Sequence, residues 1–399
     1  MNSDIGEDKV PLLQLLTPEG ARVTGRGNSA YRKRIAGLKP DQLRGMYRDM
    51  VLTRRFDDEA TSLQRQGELG LYAPARGQEA AQVGNAYALA PQDYVFPTYR
   101  EHGVLQVRGV DPVDRLQFYR GTDHGGWNPH EYNAQVYTVV IGSQALHAAG
   151  YAMGVQRDGL VGTGDPAKDT AVVTYFGDGA TSQGDVNEAL VFAAVNQAPV
   201  VFYCQNNQWA ISEPTPRQTR TPLYKRGEGF GIPSLRVDGN DVLACYAATQ
   251  EALDRARSGG GPTFIEAFTY RMGAHTTSDD PTRYRTTEQE EIWRRRDPID
   301  RLRILLENEG AIDADFEAEL QAEADALGKR LRDLTRKLEP ATKTQMFETV
   351  YATEHSIVSE DRAWFEAYEA GEPADAGYAT AAPTAVAPQT TAVQQGGTR

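Results

Sequence analysis

The stretch "TYFGDGATSQGD", Thr174–Asp185, decides how the chain folds. The apolar run "AVVTYF" stops at Asp178, held between Gly177 and Gly179. An apolar run closed by a glycine turn and followed by a helix reads as a strand of a parallel α/β sheet. Such sheets take their ligands beyond the C-terminal ends of the strands. The two glycines let the backbone turn sharply and approach a ligand closely. The helix expected next opens at Gly179 and Ala180, where free N–H groups suit a phosphate. A carboxylate beside that phosphate is repulsive unless a cation stands between them. A hard divalent ion such as Mg²⁺ takes oxygen ligands from both.

The remainder of the site is expected at the end of the neighbouring strand. "PVVFYCQNNQWAIS" puts Asn206-Asn207 directly after the next apolar run, with Asn207 29 residues beyond Asp178. A helix of about four turns and one strand fill that interval, so one β–α–β unit brings both side chains to the same sheet edge. Asn207 supplies a neutral oxygen, and an unpaired main-chain carbonyl such as that of Trp209 supplies another. Asp178, Asn207 and Trp209 are therefore the expected metal ligands, with diphosphate oxygens and water completing an octahedron. G-D-G alone is common in turns. Two such motifs, each closing an apolar strand with one helix between, point to a bound diphosphate.

Working outward, strands and helices alternate through the middle of the chain, which predicts an α/β fold: a parallel sheet flanked by helices. "VYTVVIG", "AVVTYFG", "PVVFYC", "PSLRVDG" and "PTFIEAFTYRM" read as strands, the last ending at Met272. Residues 1–38 read as an irregular arm, 39–285 as the α/β domain and 286–369 as a helical region. Asp41 is the expected N-cap of the first long helix. Asp297-Pro298 opens a later one that Gly310 ends. Phe316, Leu320, Leu327, Leu331, Leu334 and Leu338 form the apolar stripe of a longer helix. Residues 370–399, rich in Ala, Pro, Thr and Gln, read as a disordered tail.

The formal net charge of −13 disfavours nucleic acid and anionic membranes as partners. Two widely separated cysteines, Cys204 and Cys245, fit a reducing cytoplasm rather than a disulfide framework. There is no signal-like N-terminus and no apolar run long enough to span a bilayer. A nicotinamide-dependent oxidoreductase would need a G-x-G-x-x-G turn, and "GTGDPAKD" does not supply one.

"GDG" followed after 26 residues by "NN" resembles the thiamine diphosphate motif. The longer stretch "GDGATSQGDVNEALVFAAVNQAPVVFYCQNNQWAIS" resembles the α subunit of the E1 component of 2-oxo acid dehydrogenase complexes. "RQGELGLYAPARGQEAAQVG", "FPTYREHG", "IGSQALHAAGYAMG", "YRMGAHTTSDDPTRYR" and "MFETVYA" are similar to that family's landmarks, in its order, from about Pro40 to about Ala352. The resemblance implies thiamine diphosphate and Mg²⁺ as cofactors. It implies that Tyr99 and Arg100 touch the cofactor, the arginine at the diphosphate, and that Ile141, a core residue by pattern, wedges beneath the cofactor's bend. Arg271 and His275 face the cofactor, His275 also assisting acyl transfer to a lipoyl group, and Asp279-Asp280 help order their loop. Gln205 stands where a relative has arginine, leaving Arg100 and the metal to hold the diphosphate. His124, His130 and His147 receive no role.

The resemblance further implies oxidative decarboxylation of a small 2-oxo acid, branched-chain before pyruvate, with acetoin more distant. The implied partners are a β subunit in an α2β2 heterotetramer and a lipoyl-bearing E2 acyltransferase. In this superfamily a glutamate activates the cofactor from a second α/β unit. This chain has no second complete unit, so the glutamate is expected on the β subunit. A non-catalytic scaffold with the same fold is disfavoured by the presence of Asp178, Asn207, Arg100 and His275.

Overall fold

A computed structural model describes residues 10–371 apart from Thr349. Five parallel strands form the central sheet: β1 (Tyr94–Phe96), β2 (Val172–Gly177), β3 (Val200–Asn206), β6 (Ser234–Asp238) and β7 (Thr263–Phe268), in the order β1-β2-β3-β7-β6. Two short strands, β4 (Trp209–Ala210) and β5 (Glu213–Pro214), make a separate antiparallel hairpin just after β3. The alternation of side chains along a strand divides the sheet residues between two cores. Val173, Tyr175, Val201, Tyr203 and Ile265 join one core, with the helices Pro40–Arg65, Glu79–Ala86, Val242–Arg257, Pro298–Asn308 and Ala314–Thr335. Val172, Phe176, Val200, Phe202 and Phe264 join the other, under the helices Ser143–Arg157 and Gly184–Asn196. The sheet is thus covered on both faces, as expected.

Several local expectations are corrected. "VYTVVIG" is not a strand: its one isolated bridge joins Thr138 to Thr98, just after a similar bridge from Ala134 to Val95. It must turn at Gly142, in the left-handed region at φ 91°, to enter the Ser143–Arg157 helix. The strand expected to reach Met272 leaves the ladder at Phe268, where β3 also ends. The first long helix starts at Pro40, capped by Lys39, because proline suits the first helical position; Asp41 lies inside its first turn. Asp297 does cap the Pro298–Asn308 helix, accepting from the Ile299 N–H at 2.9 Å. In the following helix Leu320 and Leu331 are buried, but Leu334 has turned outward at 37% exposure.

The arm, expected to be irregular, carries a helix at Ser29–Ile35 and is tied to the sheet over residues 10–16. Leu13 exchanges backbone hydrogen bonds with Arg236 and Asp238 on the open edge of β6, both at 2.9 Å. The N–H groups of Leu15 and Leu16 both donate to Asp241 at 2.6 Å. This covers a sheet edge that would otherwise be free to pair with another chain.

Gly84 marks where the Glu79–Ala86 helix touches the Val242–Arg257 helix. A Cβ there would sit 2.6 Å from the Val242 carbonyl oxygen and 2.9 Å from the Cys245 Cβ. Gly84→Val is expected to cost roughly 3 kcal/mol through overpacking, read as a lowered urea midpoint at unchanged slope.

Of the described residues, those up to Pro340 form one compact unit and those from Ala341 a second. Within the second, the helix Ser356–Glu369 brings Phe365 to 5.7 Å from the Phe347 ring, while Ile357, Trp364 and Tyr368 are exposed. The tail expected at 370–399 lies outside the described residues from 372 onward.

Candidate active site

The ends of β2 and β3 lie side by side, with Gly177 opposite Gln205 in the ladder. A cavity of about 260 Å³ opens there. Its lining includes Tyr99, Arg100, Ile141, Asp178, Gly179, Ala180, Asn207, Trp209, Arg271 and His275, so every expected site residue borders one space.

Asp178 opens a 3-10 turn, Asp178–Ser182, and the α-helix begins only at Gly184. The expected helical first turn is therefore a tighter one. Gly179 has a steric reason: a Cβ there would lie 2.7 Å from the Ala210 Cβ in the hairpin. Asp178 is 2% exposed, and burial raises its pKa to about 6. Gln218 donates to its Oδ2 at 2.8 Å and the Thr215 hydroxyl lies 3.3 Å from the same oxygen, while Oδ1 receives no side-chain donor.

The two asparagines divide the work by alternation along the chain. Asn206 turns into the fold, donating to Glu266 at 2.7 Å and accepting from Thr215 at 3.1 Å. Asn207 lines the cavity instead. Its amide nitrogen donates to Gln78 at 2.5 Å and its oxygen accepts from the Trp209 N–H at 3.2 Å.

The Trp209 carbonyl is not unpaired, which corrects the expectation. Arg271 is fully buried and needs acceptors, so it donates to the Trp209 oxygen at 2.9 Å and the Ile211 oxygen at 2.8 Å. It also reaches the Tyr284 hydroxyl at 2.8 Å. Gln208 and Ile211 hold positive φ of 71° and 57°, a strain this guanidinium helps the hairpin to keep. Arg271 thus clamps the hairpin that carries part of the cavity wall.

His275 sits between two arginines. Arg100 Nη2 lies 3.3 Å from its Nδ1 and Arg271 Nη1 lies 3.4 Å from the same atom. Both are obligate donors, so the imidazole is neutral with its proton on Nε2. Burial, then Arg100, then Arg271 lower its pKa to about 3. Arg100 also donates to the Pro74 carbonyl at 2.6 Å and the His275 carbonyl at 2.9 Å. Asp279 fixes the loop by accepting from the His275 N–H at 2.8 Å and from the Tyr284 hydroxyl. Asp280 instead caps the short turn at Pro281–Arg283.

Ile141, a core residue by pattern, is 41% exposed in the cavity wall. Gln205 is held in a buried polar network, donating to Glu101 at 2.7 Å and accepting from Gln82 at 3.2 Å. His124, His130 and His147 are exposed and border no part of this cavity. Gln78, Glu101, Gln144 and Gln218 are the polar neighbours that the motifs gave no means of finding.

A parallel sheet with an acidic and an amide side chain at adjacent strand ends, facing two arginines, defines an α/β enzyme of the strand-end type. The chain belongs to the dehydrogenase E1 component family, whose description matches residues 47–344. It is 48% identical over 341 residues to the 3-methyl-2-oxobutanoate dehydrogenase subunit alpha of Mycobacterium tuberculosis, covering 85% of this chain and 89% of that protein. It is 41% identical over 327 residues to the pyruvate dehydrogenase E1 component subunit alpha of Staphylococcus aureus, covering 82% and 86%. Membership implies a 2-oxo acid dehydrogenase component that uses thiamine diphosphate. Among the described residues no helix is long and apolar enough to cross a membrane.

Proposed function

We propose that this chain is the α half of a thiamine diphosphate- and Mg²⁺-dependent E1 component that decarboxylates a branched-chain 2-oxo acid. A β subunit completes it in an α2β2 heterotetramer, and the acyl group passes to the lipoyl group of an E2 acyltransferase. Pyruvate is the second substrate reading. The higher identity to the branched-chain relative favours the first. The observation that carries the proposal is the pairing of Asp178 with Asn207 at adjacent strand ends, in a cavity that also holds Arg100.

The residues present suit the cofactor. Asp178 Oδ1 and Asn207 Oδ1 are hard oxygen donors for Mg²⁺, and the Trp209 carbonyl keeps a second lone pair. Arg100, with the N–H groups of Gly179 and Ala180, suits the diphosphate. When bound, thiamine diphosphate supplies the electron sink for loss of CO₂. The chain's own part is positional and electrostatic. Ile141 gives an apolar support in the wall, and the neutral His275 offers an Nε2–H donor toward an acyl oxygen.

The need for a partner is supported by an uncovered apolar face. Gly150 and Gly154 have open space above them, and Tyr151, Phe192 and Val195 are exposed on the same pair of helices. Both cysteines are buried and free, which suits a cytoplasmic setting.

Calorimetric titration of thiamine diphosphate with Mg²⁺ tests the proposal, using the chain alone and with its β subunit. Tight, metal-dependent binding is expected only in the mixture. Equally tight binding to the chain alone contradicts the half-site, and none in an assembled pair contradicts the cofactor.

A further inference from the structure

We infer that Gln78 sets which atom of Asn207 faces the cation, an inference that rests on the cofactor reading above. An asparagine side chain fits its pocket in two orientations that exchange an acceptor for a donor. Only one presents oxygen to a metal. The other places an NH₂ there, with its positive hydrogens toward the positive ion.

Two contacts choose between them. The Trp209 N–H is a backbone donor and cannot turn round, and it lies 3.2 Å from Asn207 Oδ1. Flipping Asn207 would set donor against donor. On the other side Gln78 Oε1 accepts from Asn207 Nδ2 at 2.5 Å, so it takes up the nitrogen and turns it away from the metal position. Gln78 is 1% exposed and sits immediately before the Glu79–Ala86 helix, whose Gln82 N–H donates to the Gln78 carbonyl at 3.2 Å. Its side chain therefore starts from a fixed backbone.

The far end of Gln78 supports the same assignment. Its Nε2 is buried and has no hydrogen-bond partner among the described residues. A buried amide N–H left unpaired costs about 1–3 kcal/mol. A residue needed only for packing could be apolar at no such cost. Trp209 N–H, Asn207 and Gln78 instead form a directional chain in which each amide polarises the next. That chain leaves the second lone pair of Asn207 Oδ1 as its free acceptor. Residues that orient ligands in this way typically change metal affinity 10- to 100-fold when replaced. Gln78 is thus a positioning residue, acting through Asn207.

The test is Mn²⁺ binding, followed by electron paramagnetic resonance with thiamine diphosphate present, on the chain assembled with its β subunit. Gln78→Leu removes the acceptor and is expected to weaken Mn²⁺ binding roughly 10- to 100-fold. Gln78→Glu keeps an acceptor for Asn207 and should stay within about threefold of the parent, a rescue that a merely structural role does not predict. Asp178→Ala serves as the control without a site. Parent-like affinity in Gln78→Leu, with binding lost in Asp178→Ala, overturns the inference and leaves the cofactor reading standing. If Gln78→Leu fails to assemble, Gln78→Glu decides, and weakening there comparable to that of Asp178→Ala overturns the inference. Absence of Mn²⁺ binding by the parent assembly overturns both.

Discussion

Asp178→Ala is expected to abolish metal-dependent thiamine diphosphate binding and to reduce kcat/KM at least about a thousandfold, or about 4 kcal/mol of transition-state stabilisation. Two carboxylates line the cavity, Asp178 and Glu101. Glu101 already accepts from the Thr98 N–H and hydroxyl on one oxygen and from Gln205 on the other. Asp178 Oδ1 has no such donor, so it is the anionic oxygen left for a cation. Burial raises its pKa to about 6, against 3.8 for an ordinary aspartate, so the metal-free fold holds this charge at a cost. Because the folded pKa is raised, this group favours the folded state below the unfolded value, and that contribution is lost as pH rises through about 6. Asp178→Asn should therefore match or exceed the parent in metal-free thermal midpoint at pH 7 while failing to bind the cation. A mutant that lost binding by misfolding would show a lower midpoint. Proton and metal also compete for the same oxygen. Parent affinity for Mg²⁺ should fall about tenfold for each pH unit below about 6, measured by calorimetry between pH 5 and pH 8. A flat profile would show that Asp178 is not the ligand.

The strand-end half of the site was legible because it obeys a local rule. Asp178 and Asn207 each terminate a buried apolar strand, and a single parallel crossover leaves little freedom in where they meet. What escaped was set by tertiary packing. The Trp209 carbonyl could be offered as free only while the destination of Arg271 was unknown, and Arg271 lies 62 residues further on. "VYTVVIG" has the composition of a strand, yet Val140 is 71% exposed and the segment makes one isolated bridge, Thr138 to Thr98, rather than a ladder. An apolar run predicts burial, but it does not say whether the covering surface belongs to the same chain. Gln78 and Gln218 were invisible for a simpler reason. A glutamine carries no periodicity signal, and its role depends on which of two amide ends a distant residue needs.

Replacing Arg100 with methionine is expected to weaken thiamine diphosphate binding by about 100-fold and to move the titration of His275 upward. The first effect follows from losing a guanidinium fork that lines the cavity. The second follows from the cause of the histidine's low pKa of about 3, in which Arg100 ranks just behind burial and Arg271 follows it. Burial and Arg271 remain in the variant, so His275 should rise but stay below the ordinary 6.5. Imidazole nitrogen shifts in histidine-labelled protein would report both the pKa and the tautomer. Arg100→Lys separates the two roles. It retains the positive charge, so His275 should stay depressed, but a point charge cannot reproduce the fork that spans the Pro74 and His275 carbonyls. Affinity should therefore fall in both variants while the histidine titrates upward only in methionine. The parent should show the same upward movement when diphosphate binds, because the anion offsets the charge that both arginines impose on Nδ1. If His275 titrates identically in all three proteins, Arg100 has no part in setting its state. Arg100 would then act only on the ligand and on the carbonyls it spans.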